Sequence, residues 1–149
     1  MATFRLEIVT IEGKVFDEEV NMVVAPGVEG VMGILPRHAP LLTRLHFGEL
    51  QIKKDGQADQ FYAVGGGVME VQGSQVIVLA DSAEHVDEID IARAEEARQR
   101  AEERLAQASK DQLDFDRAEA ALRRSANRIK LARRHRQRGG YGVQTPDGR

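Results

Sequence analysis

The sequence lacks cysteine and tryptophan altogether, and each absence excludes a class of functional site. Without cysteine the chain can form no disulfide, no thiolate zinc site and no thiol nucleophile, a usage that fits a reducing compartment. Aromatic residues make up only 5% of the chain, so few rings are available to stack on nucleic-acid bases. No apolar run approaches the roughly 20 residues that span a bilayer, and the first residues lack the basic and apolar regions of a signal peptide. We therefore expect a soluble protein that reaches a membrane only through a partner.

Catalytic and metal-binding patterns are also missing from the sequence. Gly65-Gly66-Gly67 is followed by Val68 instead of the lysine and hydroxyl residue of a phosphate-binding loop, so it predicts a bulge or a close turn between strands. No serine lies in a Gly-x-Ser-x-Gly elbow. The histidines, which lack metal-ligand spacing on any one element, are His38, His46, His85 and His135. The sequence predicts a non-catalytic protein with no metal and no obligatory cofactor.

Residues 1–84 show the periodicity of β-strands. Apolar and polar residues alternate there, as in a half-buried strand. Rows with this alternation are Phe4, Leu6 and Ile8, and Val20, Met22 and Val24. Asp55-Gly56 favours a tight hairpin turn because glycine accepts a positive φ. Many short strands separated by turns predict an antiparallel β-sandwich or flattened barrel.

After Val86 the apolar period changes to three and four residues, which is typical of amphipathic helices. We predict an antiparallel two-helix hairpin over residues 87–138, with Asp87 as the N-cap of the first helix and Asp111 or Asp114 as that of the second. The residues expected between the helices are Ala94, Ala97, Ala101, Leu105 and Ala108 on the first, and Phe115, Ala118, Leu122, Ser125, Ile129 and Ala132 on the second. Gly139-Gly140 ends the second helix, and residues 139–149 are expected to form a flexible tail.

The predicted contact between the helices is largely alanine, which buries little apolar area and leaves a hairpin of marginal stability. Such a hairpin is either docked permanently on the sheet or able to detach and change shape. Charge is divided as well, because acids outnumber bases over residues 87–103 whereas residues 123–138 carry eight basic residues and no acid. These segments either pair with each other or form separate solvated faces.

Two classes of binding function fit this charge distribution. The basic second helix can neutralise the phosphates of a nucleic acid. An acidic pI near 5.8 and the scarcity of aromatic residues argue against that alternative, a nucleic-acid-binding β domain with a basic hairpin. We favour contact with partner proteins and expect no nucleic-acid partner.

The segment from Glu29 to Leu42 is rich in glycine and proline and yet carries large apolar side chains. Exposed apolar loops are costly unless something covers them, so this segment predicts a partner contact. The alternative is that Ile34 and Leu35 fold back onto the sandwich, as we expect for Leu41 and Leu42.

A second informative stretch, Ile89-Asp90-Ile91-Ala92-Arg93-Ala94, opens the first helix. Arg93 and Arg100, seven residues apart, share one helix face, and Arg124 and Arg128, four apart, share a face of the second helix. Closing the hairpin brings the four guanidinium groups toward one edge. There they bind either phosphates or nearby carboxylates, and the available carboxylates are Glu95, Glu96 and Glu119.

Over nearly its whole length the chain resembles the epsilon subunits of F-type ATP synthases. The resemblance lies in the Gly-x-x-Gly-Ile-Leu-Pro-x-His-Ala-Pro-Leu-Leu pattern of residues 30–42, in residues 64–71, in Leu79-Ala80-Asp81 and in the hairpin. It implies a non-catalytic rotor subunit of the central stalk that couples the gamma subunit to the membrane c-ring in proton-driven ATP synthesis. It also implies that the hairpin, when extended toward the alpha and beta subunits, inhibits ATP hydrolysis. The expected location is peripheral, on the cytoplasmic face of a bacterial cell membrane.

The resemblance assigns two sets of site residues. The ring-contacting foot comprises Glu29, Val31, Met32, Gly33, Ile34, Leu35, Pro36, Arg37 and His38. Some family members carry an acid where this chain has Val31, so packing replaces a polar contact there. Some bacterial members bind ATP as a regulatory ligand through an Ile/Leu-Asp-x-x-Arg-Ala motif. The matching residues here are Glu84, Ile89, Asp90, Arg93, Ala94, Arg100, Arg124 and Arg128.

Overall fold

The computed structural model describes residues 2–107 and 112–140 and divides into two compact units, Met1–His85 and Val86–Arg149. The predictions for Ala108, for Asp111 and for residues 141–149 of the predicted tail lie outside the described residues, whereas residues 139 and 140 of that predicted tail belong to the end of a helix. The first unit is built from strands and the second from helices. This order confirms the predicted fold class, a β-sandwich followed by two helices.

The first unit contains eight strands that belong to one continuous, folded sheet. They are β1 (Phe4–Thr10), β2 (Gly13–Val20), β3 (Met22–Gly27), β4 (Gly30–Ile34), β5 (Leu41–Lys53), β6 (Gln60–Gln72), β7 (Gln75–Ala80) and β8 (Ala83–His85). Their order is β2-β1-β7-β6-β5-β3-β4, with β8 paired to β6. The pair β1–β7 is parallel, which corrects the expectation of a purely antiparallel sheet. The long stretch of chain between these strands supplies the crossover that parallel pairing requires.

The core of the sandwich consists of alternate apolar side chains, and the row Phe4, Leu6 and Ile8 is buried as predicted. The predicted row Val20, Met22 and Val24 was wrong, because β2 ends at Val20 and β3 contributes Val23 and Ala25 to the core, with Met22 and Val24 only partly buried. Asn21 makes a corner between the two strands. Its backbone N–H donates to Lys53 O at 2.9 Å, and its side-chain Oδ1 accepts from Asp55 N at 2.7 Å. Because residues distant in sequence fix this corner, the local pattern of apolar residues could not predict it.

Exposed charges reinforce the pairing of β1 with β2. Asp17 accepts a hydrogen bond from Arg5 at 2.5 Å and another from Lys14 at 3.0 Å. The hydrogen bond from Arg5, followed by that from Lys14, holds the pKa of the Asp17 carboxyl below its usual value. Because these groups are in solvent, the pairs stabilise the sheet only modestly.

The second unit begins with a short 3₁₀ helix, Val86–Glu88, followed by α1 (Ile91–Gln107) and α2 (Gln112–Gly140). Asp90, not Asp87, is the N-cap of α1, since its Oδ1 accepts from Arg93 N at 3.2 Å while its carbonyl accepts from Ala94 N. Asp87 lies in the 3₁₀ helix, where the chain has not yet entered α1. Asp114 lies inside the first turn of α2 and does not precede it.

The two helices pack side by side through small residues, as predicted. The buried members of the predicted rows are Ala94 and Ala101 on α1, and Ala118, Ser125, Ile129 and Ala132 on α2. The prediction for Phe115 was wrong, because its side chain is 40% exposed. Ser125 donates its hydroxyl to Ala121 O and Leu122 O, which satisfies its polar group within the helix. The helical unit therefore buries little large apolar surface.

The glycine stretch does not separate two strands, because β6 runs through it without a break. Gly66 and Gly67 have positive φ, and a Cβ on Gly67 would lie 2.1 Å from the Leu79 carbonyl oxygen. The backbones of β6 and β7 therefore approach each other where only glycine fits, whereas the sequence had predicted a bulge or a turn between strands.

We expect Gly67→Ala to lower the free energy of unfolding by about 2 kcal/mol or more, because it adds backbone strain and a clash with main-chain atoms that cannot move aside. The measurement is chemical denaturation of the full-length chain. Gly73→Asn is the matched control, since Gly73 also has a positive φ but a Cβ there would meet no heavy atom within 4 Å. Equal stability of the two variants would contradict the close-approach argument.

Candidate partner and nucleotide sites

The predicted foot, residues 29–38, is a strand and a turn, not the continuous loop that glycine and proline suggested. Gly30–Ile34 form β4, which pairs antiparallel with β3. Beyond it, His38 N donates to Leu35 O at 3.2 Å and Arg37 has a φ of 66°. This left-handed residue turns the chain back toward β5. A rigid hairpin end therefore presents the foot residues.

Strand alternation sorts the apolar side chains of the foot into buried and exposed sets. Ile34 is only 1% exposed and belongs to the sandwich core, whereas Leu35 is 56% and Val31 77% exposed. Of the two later leucines, Leu41 packs against the core as expected, but Leu42 is 71% exposed. The foot thus offers solvent an apolar surface centred on Val31 and Leu35.

The motif at the start of α1 is divided between packing and solvent. Ile89 and Ala94 are buried, so their side chains belong to the interior of the helical unit. Asp90 is exposed and caps α1 with one carboxylate oxygen, which leaves the other oxygen open to solvent. Arg93 is exposed. Three of these four residues therefore have a structural role at the start of the hairpin: two are buried, and one caps α1.

The four predicted arginines lie on one flank of the hairpin. At about 100° per residue, Arg93 and Arg100 fall on one side of the buried row of α1. Arg124 and Arg128 fall on the corresponding side of the buried row of α2. We call this side the basic flank. Within the described residues, Arg93, Arg100 and Arg124 form no ion pair, so the predicted carboxylate partners do not neutralise these three.

The opposite flank of the hairpin carries paired charges. Glu95 of α1 forms an ion pair with Arg133 of α2, and Arg98 lies 3.9 Å from Glu102 on α1. Arg136 Nη2 also donates to the Ile89 carbonyl at 2.5 Å. These cross-helix contacts show that the helices are antiparallel and fasten the end of α2 to the start of α1.

Two further arginines, which the sequence motif does not single out, belong to the basic flank. Arg104 and Arg117 line an open cleft of about 420 Å³ together with Gln107, Asp114 and Ala118. Their spacing could have predicted this, because Arg104 follows Arg100 by four residues and Arg124 follows Arg117 by seven, which places each pair on one helix face. The basic flank thus extends along most of the hairpin.

Glu84 belongs to a different unit of the chain from the other predicted nucleotide-binding residues. It lies in β8, paired with Ala63 of β6, in the first unit. The other predicted nucleotide residues belong to the second unit.

The described part of the chain contains neither a metal cluster nor a membrane-spanning helix. Residues 2–107 and 112–140 hold no group of three or more acidic or histidine side chains placed to bind a metal ion. No helix among them has the length and apolar character needed to cross a membrane.

Comparison with known proteins gives concordant matches for both units. A family model described as the beta-sandwich domain of the ATP synthase delta/epsilon chain matches residues 3–86, and one described as its long alpha-helix domain matches residues 87–133. The ATP synthase epsilon chain of Pelotomaculum thermopropionicum is 56% identical over 104 residues, covering 70% of this chain and 77% of that protein. That of Dehalococcoides mccartyi is 57% identical over 106 residues, covering 71% and 75%.

A solved structure adds a match in fold. A chain in the Euglena gracilis mitochondrial ATP synthase, a structure of OSCP, F1 and the c-ring, superimposes with a TM-score of 0.69 at 23% identity. The match covers 85% of this chain and 79% of that one. With both units matched in order and relatives more than half identical, the chain belongs to the ATP synthase delta/epsilon chain family.

Proposed function

We propose that this chain is a non-catalytic rotor subunit of the ATP synthase central stalk, where it couples the gamma subunit to the c-ring and restrains ATP hydrolysis through its hairpin. The observation that carries the proposal is the match of both units, in order, to the two domains of the family. Relatives named ATP synthase epsilon chain support the assignment to that complex. The same membership favours protein partners over the nucleic-acid alternative. The chain then stands at the cytoplasmic face of the bacterial membrane as part of the complex.

The foot is proposed to contact the c-ring through its exposed apolar side chains. Val31 and Leu35 support this assignment, since exposed apolar groups on a rigid hairpin end are a typical contact surface. Ile34, in contrast, supports the foot from inside the core.

Leu35→Asp is expected to weaken the ring contact on the order of tenfold, because it places a charge in an apolar interface. ATP-driven proton pumping by membrane vesicles should fall relative to ATP hydrolysis. Leu113→Asp is the matched control, since Leu113 is also 56% exposed but lies in α2. If both variants pump protons as well as the unmodified chain does, the assignment of the ring contact to the foot is contradicted.

The hairpin is proposed to be the inhibitory element, because its helices pack through small residues and the basic flank offers cations to acidic partner surfaces. Deleting residues 87–149 is expected to leave assembly intact and to raise ATP hydrolysis by the complex. Steady-state hydrolysis by purified complexes with matched subunit content measures this effect. Unchanged hydrolysis would exclude the inhibitory role.

ATP is proposed as a regulatory ligand of the closed hairpin, with the exposed arginines of the basic flank holding phosphates. The exposed carboxylate of Asp90 is available to the base. Binding of ATP stabilises the closed hairpin by mass action and so opposes the inhibitory form.

Calorimetric titration of ATP into the isolated full-length chain should show binding that Arg93→Ala weakens roughly tenfold or more, because a charge-assisted hydrogen bond is lost. Arg98→Ala serves as the control, since Arg98 lies on the opposite flank near Glu102. Equal losses in both variants, or no heat at millimolar ATP, would assign the arginines to protein contacts instead.

A further inference from the structure

β4 is the last strand at one end of the sheet and, among the residues that the structure describes, pairs with β3 alone. Val31 lies opposite Pro26, which has no N–H. Val31 and Pro26 are therefore a non-hydrogen-bonded pair of the antiparallel ladder. Because bonded and non-bonded pairs alternate along an antiparallel ladder, Met32 bonds to Ala25. The peptide N–H and C=O groups of Val31 and Gly33 therefore point away from β3, toward the open edge.

This edge lacks two of the features that commonly block strand addition, a charged residue and a proline. Protected edge strands contain charged residues, proline or a bulge. The five residues of β4 are Gly30, Val31, Met32, Gly33 and Ile34, with no charge and no proline. Val31 and Gly33 are both exposed residues. The nearest charged residues, Glu29 and Arg37, lie beyond the two ends of the strand.

The sheet surface beside the open edge is apolar. Val31 and Gly33 lie on the outer face of the sheet, and the exposed Leu35 follows directly after the end of β4. A Cβ on Gly33 would meet the Met22 methyl group at 2.6 Å, so the Met22 side chain lies beside the outer face of this glycine. Val24, opposite Gly33, belongs to the same face. A strand added at the edge would find apolar neighbours for its side chains on this face.

We propose that the β4 edge binds an extended segment of a partner chain as an additional strand, through main-chain hydrogen bonds to Val31 and Gly33. The partner segment is uncharged where it runs beside β4, and its side chains on the outer face of the sheet are apolar. It carries a basic residue near Glu29 and an acidic residue near Arg37. This inference deepens the proposed foot contact and rests on it, because it names the bonds by which a partner subunit is held. A second copy of the chain is the competing occupant.

Amide hydrogen exchange on the intact chain, free and within the assembled ATP synthase, tests the main-chain bonds directly. In the free chain we expect the Val31 and Gly33 amides to exchange rapidly and the Met32 amide to be protected by β3. Assembly should slow exchange at Val31 and Gly33 roughly tenfold or more, with little change at Met32. Unchanged rates at Val31 and Gly33 would overturn the proposal.

A variant pair separates the main chain from the side chain. Val31→Pro removes the outward N–H and leaves the β3 ladder intact, whereas Val31→Ala removes only side-chain atoms. We expect Val31→Pro to incorporate into the complex roughly three- to tenfold less tightly than Val31→Ala, the loss expected for one hydrogen bond. Similar thermal unfolding of the two free chains verifies that both fold.

The same experiment distinguishes failure of this inference from failure of the foot contact. If Val31→Pro and Val31→Ala incorporate equally while Leu35→Asp weakens incorporation, the foot contact stands and the strand addition is overturned. If Leu35→Asp has no effect either, both are overturned. A concentration-dependent dimer of the free chain that Val31→Pro abolishes, without slowed exchange in the complex, assigns the edge to a second copy and also overturns the proposal.

Discussion

The large apolar side chains are divided unequally between the two units, and most of the molecule's behaviour follows from this division. Of the largest fully buried side chains, all but Ile89 lie in the sandwich. At about 25 cal/mol per Å² of buried apolar surface, the sheet has a core that stabilises it independently, while the helices contact each other mainly through alanine. Apolar burial therefore stabilises the sandwich more strongly than it stabilises the helical unit.

The sequence predicts what depends on local pattern and misses what depends on distant contacts. Helix periodicity placed Arg93, Arg100, Arg124 and Arg128 on one flank, because a helix determines the direction of its side chains within a few residues. The corner at Asn21 could not be predicted, since it depends on Lys53 and Asp55. Glycine and proline in the foot suggested a loop, yet pairing with β3 overrode these local preferences.

Prediction of the candidate sites was limited by the same physics. Leu42 resembled a core leucine in sequence, but its position on the outer face of β5 exposes it. The choice between Asp87 and Asp90 as the helix cap depended on where the chain leaves the 3₁₀ helix, which residue type alone does not determine. The direction of the peptide groups of Val31 follows from its register with Pro26, and register is a tertiary property.

The contacts that close the hairpin are concentrated at the end where α1 begins and α2 finishes. The Arg133–Glu95 pair joins residues 38 apart in sequence, and the hydrogen bond from Arg136 to Ile89 O joins residues 47 apart. Both contacts join groups far apart in sequence and fasten the end of α2 to the start of α1. Higher ionic strength weakens this end of the closed hairpin, because the Arg133–Glu95 pair is solvent-exposed and subject to screening.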